Sequence, residues 1–116
     1  MTNYINANDK FSDYNGTDNF YRHFTKMLYT DGVKALCDDF QCYWFLDIVA
    51  SYQSQLKGEE FQVWLLRKEE DGSAVVTCTD GNDRELVSQS IPSTGFAAQR
   101  AIIWVEYCVA LLPSER

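Results

Sequence analysis

The chain has one histidine, two prolines and no pair of adjacent glycines, and its 17 acids outnumber its 10 lysines and arginines. Each shortage removes a class of function. A formal net charge of −7 disfavours a direct grip on nucleic acid or on an anionic membrane, because both rest on clustered cations. A single imidazole, His23, leaves few routes to nucleophilic or acid–base catalysis, which needs a nucleophile, a base beside it and a group that orients the base. The glycines stand singly, at Gly16, Gly32, Gly58, Gly72, Gly81 and Gly95. Each reads as a cap or turn, and no phosphate-cradling loop is formed. No apolar run approaches the roughly 20 residues of a membrane span, and no cationic start with an apolar segment behind it opens the chain. The expected location is the cytoplasm.

What is present is apolar and aromatic. At 116 residues, 46% hydrophobic and 15% aromatic, the chain can form one core without disulfide or metal staples, since each buried aromatic removes roughly 150 to 250 Å² from water. Cys37 and Cys42 are spaced C-x4-C, but a structural zinc site would want a second Cys or His pair. Cys78, Cys108 and His23 are too scattered in sequence to supply it. The four thiols therefore read as reduced core residues, and no metal or cofactor is expected.

Residues 1–15 are rich in Asn, Asp, Ser and Tyr without apolar periodicity, and read as an irregular lead-in whose Tyr4, Ile5, Phe11 and Tyr14 can dock on the body. Residues 16–116 read as a single α+β domain. Its first half predicts three helices. Thr17 would cap one in which Phe20, Tyr21, Phe24, Met27 and Leu28 share a face; Thr30 or Asp31 would cap a second, with Val33, Leu36, Cys37 and Phe40 inward. A third, Tyr43 to Leu56, is apolar over most of its circumference. After Lys57-Gly58 the period changes to 2: FQVWLLRK, AVVTCT and RELVSQSI alternate between Asp-Gly turns, and AIIWVEYCVALL reads as a further strand from its β-branched and aromatic content. The expected architecture is three N-terminal helices packed on one face of a C-terminal antiparallel sheet of about four strands.

Few residues stand out chemically. Asp38 and Asp39 are adjacent on a helix, point about 100° apart and cannot share a substrate atom. His23 would sit at the edge of the first helix's apolar face. Asp47 is the exception. Tyr43, Asp47, Ser51 and Ser54 form a polar stripe on an otherwise apolar helix, and a carboxylate there is costly to bury unless paired. The stripe is either a satisfied structural network, with Arg22 as a candidate cation, or the floor of a polar pocket.

GTDNFYRHF from Gly16, LYTDGV from Leu28, YWFLDIVASYQ from Tyr43 and LLPSE from Leu111 resemble an uncharacterised family of small proteins scattered through bacteria, phages and other mobile elements. The resemblance spans residues 16–116 and implies no activity and no catalytic residues.

Binding is thus expected rather than catalysis. The leading expectation is a non-enzymatic acidic protein that blocks a basic, nucleic-acid-handling surface of a host protein or ribonucleoprotein, as anti-CRISPR and other anti-defence proteins do. Asp38, Asp39, Glu69, Glu70, Asp71, Asp80, Asp83 and Glu85 are the candidate partner-binding carboxylates. The alternative is a small-molecule or nucleotide-signal site between the central helix and the sheet. Tyr43, Asp47, Ser51 and His23 would form it, with Trp44, Tyr52, Trp64 or Trp104 as walls. Edge strands and surplus aromatics also suit a homodimer.

Overall fold

The computed structural model describes residues 5–116, so Tyr4 of the lead-in lies outside the described residues. Two helices form where capping and period agree. Thr30, in extended backbone, accepts the Val33 main-chain N–H at 3.3 Å and starts α1, Asp31–Phe40, satisfying a donor that no helical carbonyl can reach. Val33, Leu36 and Cys37 are buried on its inner face. A left-handed Gln41 (φ 51°) ends it.

The second helix, α2, runs Tyr43–Ser51 and stops short of the expected Leu56. The Gln53 side chain donates to the Val49 carbonyl at 2.9 Å, the acceptor that the Gln53 main-chain N–H would use in a continued helix. That N–H turns to Ala50 O instead, and i→i+3 turns carry the chain to Leu56.

Besides two short 3-10 turns, at Ala7–Phe11 and Pro113–Glu115, the remaining elements are strands: β1 Phe20–Arg22, β2 Leu28–Thr30, β3 Phe61–Lys68, β4 Ala74–Thr79, β5 Glu85–Ile91, β6 Arg100–Glu106 and β7 Val109–Leu111. They make one mixed sheet in the order β1-β2-β7-β6-β3-β4-β5, with β2 and β7 parallel and the other neighbours antiparallel. This corrects the expected fold twice. Two helices, not three, precede the long strands, and seven strands, not about four, make the sheet.

The segment expected as the first helix is the β1–β2 hairpin. Phe24, Thr25 and Lys26 form its loop: Lys26 N–H bonds His23 O, His23 N–H bonds Met27 O, both at 2.8 Å, and Lys26 is left-handed at φ 79°. Thr17 caps, but across space, accepting the Asp31 N–H at 2.8 Å. The helical spacing of Phe20, Tyr21 and Phe24 loses to β2 pairing along β7, because a short isolated helix is marginal while a ladder partner satisfies the backbone directly. The last segment is strand in two pieces, β6 and β7, joined at Tyr107 and Cys108.

α1 and α2 cover one face of the sheet. Val33, Leu36, Phe45, Leu46 and Val49 from the helices share a core with Trp64, Leu66, Val76, Ile103 and Val105 from the strands. Within it, buried Gln62 exchanges two hydrogen bonds with Gln53, at 2.9 and 3.0 Å, and accepts the Trp64 indole N–H at 2.9 Å. Ala7–Phe11 forms a 3-10 turn along β6, where Asn8 accepts the Ile102 N–H at 2.6 Å and donates to the Ile102 carbonyl at 2.7 Å.

Candidate functional site

The eight candidate partner-binding carboxylates do not form one patch. Antiparallel pairing puts the β3–β4 turn, with Glu69, Glu70 and Asp71, at the opposite end of the sheet from the β4–β5 turn, with Asp80, Asp83 and Glu85. The separation is roughly 20 Å, from six strand residues at about 3.3 Å each. The C-terminus of α1 joins the first group: Phe40 packs on Phe96 with ring centroids 5.7 Å apart, and Thr94 N–H bonds Gly72 O at 2.9 Å.

Several of these acids are engaged by the chain itself. Asp38 meets Lys34 Nζ at 2.8 Å and accepts the Tyr43 hydroxyl at 2.6 Å, and both partners hold its carboxyl below the usual carboxylate range, Lys34 first. Asp39 pairs with Lys10 at 3.0 Å and Glu69 with Arg67 at 3.3 Å. Asp80 organises its own turn, accepting Asn82 N–H at 2.8 Å. Glu70, Asp71, Asp83 and Glu85 are exposed and form no ion pair among the described residues.

His23 and Asp47, from different halves of the expected pocket, do meet. The β1–β2 loop buries the imidazole, leaving 6% of its side chain accessible, and its Nε2 lies 2.7 Å from Asp47 Oδ1 on α2. On the other side of the ring, Nδ1 accepts the Thr25 main-chain N–H at 3.1 Å and lies 2.9 Å from the Thr25 hydroxyl. A nitrogen that accepts an N–H carries no proton of its own, so the ring proton sits on Nε2 and is donated to Asp47. Hydroxyl, imidazole and carboxylate thus stand in line. Asp47 is not at the bottom of a core pocket: 53% of its side chain is accessible, and its partner is His23 rather than Arg22.

Beside this line opens a cleft of about 400 Å³. The β1–β2 loop gives Thr25 and Lys26, the end of α2 gives Ala50 and Ser51, the turns after it give Lys57, and the β6–β7 turn gives Cys108. A second hollow of about 220 Å³ continues it through Gln53, Lys57 and Cys108 towards Tyr107. Tyr107 and Cys108 are both left-handed (φ 49° and 67°) in a two-residue hairpin turn where Asn-Gly is the low-strain choice. Together with Lys26 they place three of the five non-glycine positive-φ positions among the described residues around these two adjoining hollows. Such backbone costs of order 1–3 kcal/mol per residue and clusters at ligand sites.

The aromatic walls expected for that pocket do not converge. Trp64 is buried against Tyr52, centroids 5.9 Å apart; Trp44 lines a separate hollow with Asp39 and Phe96; and Trp104 lies on the other face of the sheet, against Phe61. Tyr43 turns to Asp38 instead of Asp47. The register of β3 and β6 sets Trp64 and Trp104 on opposite faces, and the packing of α2 sets Tyr43 and Trp44.

The thiols divide by burial. Cys37, Cys42 and Cys78 are buried and Cys108 is exposed. A hydrogen bond with Cys42, then burial, pushes the Cys37 thiol far up, and burial pushes that of Cys78 up to about 12. Among the described residues no three His, Cys, Asp or Glu side chains converge to hold a metal ion, and no helix is long and apolar enough to cross a membrane.

One residue that sequence reading missed is Glu115. Its buried carboxylate accepts the Thr30 hydroxyl at 2.6 Å, the Leu112 N–H at 2.9 Å and the Gly32 N–H at 3.0 Å. It thereby ties the chain's end to the start of α1, where negative charge is favoured. The signal available was its place in LLPSE, which carries no spacing rule.

A family model matches residues 5–116, and its description is a family of unknown function (DUF6876). No curated protein and no solved structure matches the chain.

Proposed function

The chain belongs to the DUF6876 family, whose function is unknown, and we propose that it is a non-enzymatic acidic binding protein. In this reading it occupies a basic, nucleic-acid-handling surface of a host protein or ribonucleoprotein, in the manner of anti-CRISPR and other anti-defence proteins. One observation supports it: Glu70, Asp71 and Asp83 project from the hairpin tips without an ion pair among the described residues. Carboxylates left unneutralised in a chain of net charge −7 speed encounter with a cationic surface and orient it. The two tips are roughly 20 Å apart, so the surface that fits both is a basic face at least that long.

The test is retention of host protein by the immobilised chain across a salt series. The native chain is expected to retain a partner at low salt and release it as ionic strength screens the pairing. Glu70→Lys with Asp71→Lys and Asp83→Lys should lose it while melting as the native chain does. Retention that is blind to both salt and charge reversal removes the proposal.

A second reading rests on the strained cleft beside His23. Its volume falls in the range of small-molecule sites, and Lys26 and Lys57 at its rim form no ion pair among the described residues. An anionic metabolite or nucleotide suits that lining. Binding at 100 times Kd adds roughly 2.7 kcal/mol to stability, so a thermal-shift panel of nucleotides and organic acids reports it. Lys57→Glu should abolish any shift, and a flat panel counts against a ligand site.

A further inference from the structure

The sheet has two edges, and they are finished differently. β1 is three residues long, whereas β5, Glu85–Ile91, runs for seven. An open edge presents a row of unpaired N–H and C=O groups, and proteins ordinarily guard a long one with charge, proline or a bulge. On β5 these devices stand only at the ends. Glu85 and the register shift at Cys78/Thr79 mark its start, and Pro92 follows its last residue. Between them Val87-Ser88-Gln89-Ser90-Ile91 holds no charge and no proline. Among the described residues no main-chain hydrogen bond reaches the outer side of this segment.

By residue type the segment reads the same in both directions. Register with β4 sets Ile91, Gln89 and Val87 beside the core residues Ala74, Val76 and Cys78, and sets Ser90 and Ser88 beside Val75 and Thr77. Val87 and Ile91 pack against the core, and both serines are exposed. At the centre, Gln89 Oε1 accepts the Tyr52 hydroxyl at 2.8 Å, and the Gln89 amide nitrogen has no hydrogen-bond partner among the described residues.

We propose that β5 pairs with β5 of a second copy, antiparallel and centred on Gln89, so that a homodimer shares one continuous sheet. A two-fold axis at Gln89 sets Val87 opposite Ile91, Ser88 opposite Ser90, and the two glutamine amides opposite each other. Each amide then donates its idle N–H to the other's oxygen, which has a second lone pair to offer. Every residue meets its own kind, as an isologous contact requires, and such cross-strand pairs are the unit of sheet stabilisation. An axis one residue away, at Ser88, would instead face Val87 with Gln89 and Glu85 with Ile91. A foreign extended segment can use the same backbone groups, but a second copy alone brings this order of side chains. The acidic turns do not oppose the pairing. The β4–β5 turn of one copy and the β3–β4 turn of the other lie three strand spacings apart, roughly 14 Å, beyond the screening length of about 8 Å. Five paired residues bury less than a standard interface, so the dimer is concentration-dependent.

Sedimentation velocity across about 5 to 500 μM spans the range of such an affinity. The native chain should rise from its 13.4 kDa monomer towards twice that mass. Because Ser88 and Ser90 are exposed, charges placed there read the register without entering the core. Ser88→Lys with Ser90→Lys sets two lysine pairs across the axis and should weaken the dimer about tenfold. Ser88→Lys with Ser90→Glu sets two lysine–glutamate pairs there and should tighten it by about as much. In the native chain, hydrogen exchange of amides within residues 87–91 should slow as concentration rises, a reading that stands even if a variant fails to fold. A native chain that is monomeric at the top concentration overturns the proposal and leaves the edge to a foreign segment. So does a dimer that the lysine–glutamate variant forms no more tightly than the lysine–lysine variant, which is the outcome for an axis at Ser88 or for a different surface. A dimer whose β5 amides exchange at the same rate at every concentration overturns it as well.

Discussion

The carboxylate of Glu115 occupies the space that a side chain on residue 32 would need. Its Oε2 accepts the Gly32 N–H at 3.0 Å, and a Cβ at position 32 would lie 2.5 Å from Oε1. Gly32 is helical, so the need for glycine is steric and comes from the other end of the chain. Gly32→Ala should displace the carboxylate and leave Thr30, Gly32 and Leu112 short of their shared acceptor, costing about 1–3 kcal/mol in urea unfolding. Glu115→Ala should cost a similar amount, and the double variant less than the sum of the two. Additive losses would mean that the two residues do not act through one contact.

His23 and Asp47 share a hydrogen bond but not its worth. Half of the Asp47 side chain is in water, so Asp47→Asn should cost under about 1 kcal/mol. The His23 ring is buried and holds the hairpin loop through Thr25, so His23→Ala should cost about 1–3 kcal/mol. Paired melting curves check this. Equal losses would mean that the carboxylate, rather than the loop, carries the interaction.

Acid should loosen the packing of the β1–β2 hairpin on α1. The Tyr21 hydroxyl, followed by the main-chain N–H groups of Asp18 and Asn19 and the Asn19 side chain, holds the Asp31 carboxyl below its ordinary value. Lys34 and then Tyr43 do the same for Asp38. A carboxyl whose folded value is depressed adds stability that is complete above the unfolded value, about 3.9 for Asp. That contribution is lost as pH falls through the lower folded value. Melting temperature should therefore fall from about pH 4 downward, and Asp31→Asn should flatten the fall. An unchanged profile in that variant would remove Asp31 from the account.

The four thiols should react in two classes. Cys108 is exposed on its turn, whereas Cys37, Cys42 and Cys78 are buried and the pKa values of Cys37 and Cys78 are raised. A disulfide reagent at about pH 8 should titrate one thiol quickly in the native chain and three more on unfolding, because the thiolate is the reacting form. A second fast thiol would show that α1 or the sheet opens more readily than its burial implies.

Much of the candidate site was not legible beforehand. His23 and Asp47 were each visible as unusual residues, but their pairing depends on a hairpin that the helical spacing of Phe20, Tyr21 and Phe24 concealed. The cleft depends on left-handed backbone at Lys26, Tyr107 and Cys108, residue types that do not advertise it. The division of the carboxylates between two ends follows from the β3–β4–β5 register, although the turns themselves were plain from Asp71-Gly72 and Asp80-Gly81.

Sequence alone determined what is settled within a few neighbouring residues. A cap at Thr30 or Asp31 opening α1, of which the structure uses Thr30, the inward row Val33, Leu36 and Cys37, and the alternation of β3 with its Asp-Gly turn all express local backbone preference and side-chain period. Tertiary structure decided what needs a partner far along the chain: that residues 20–30 form a hairpin whose second strand pairs with β7 instead of coiling, that Glu115 excludes a side chain at Gly32, and that Trp64 and Trp104 face opposite ways. The physical reason is that a backbone donor or an apolar side chain is indifferent to sequence distance. It is satisfied by whichever acceptor or surface the assembled fold brings near, and no short window contains both halves of that contact.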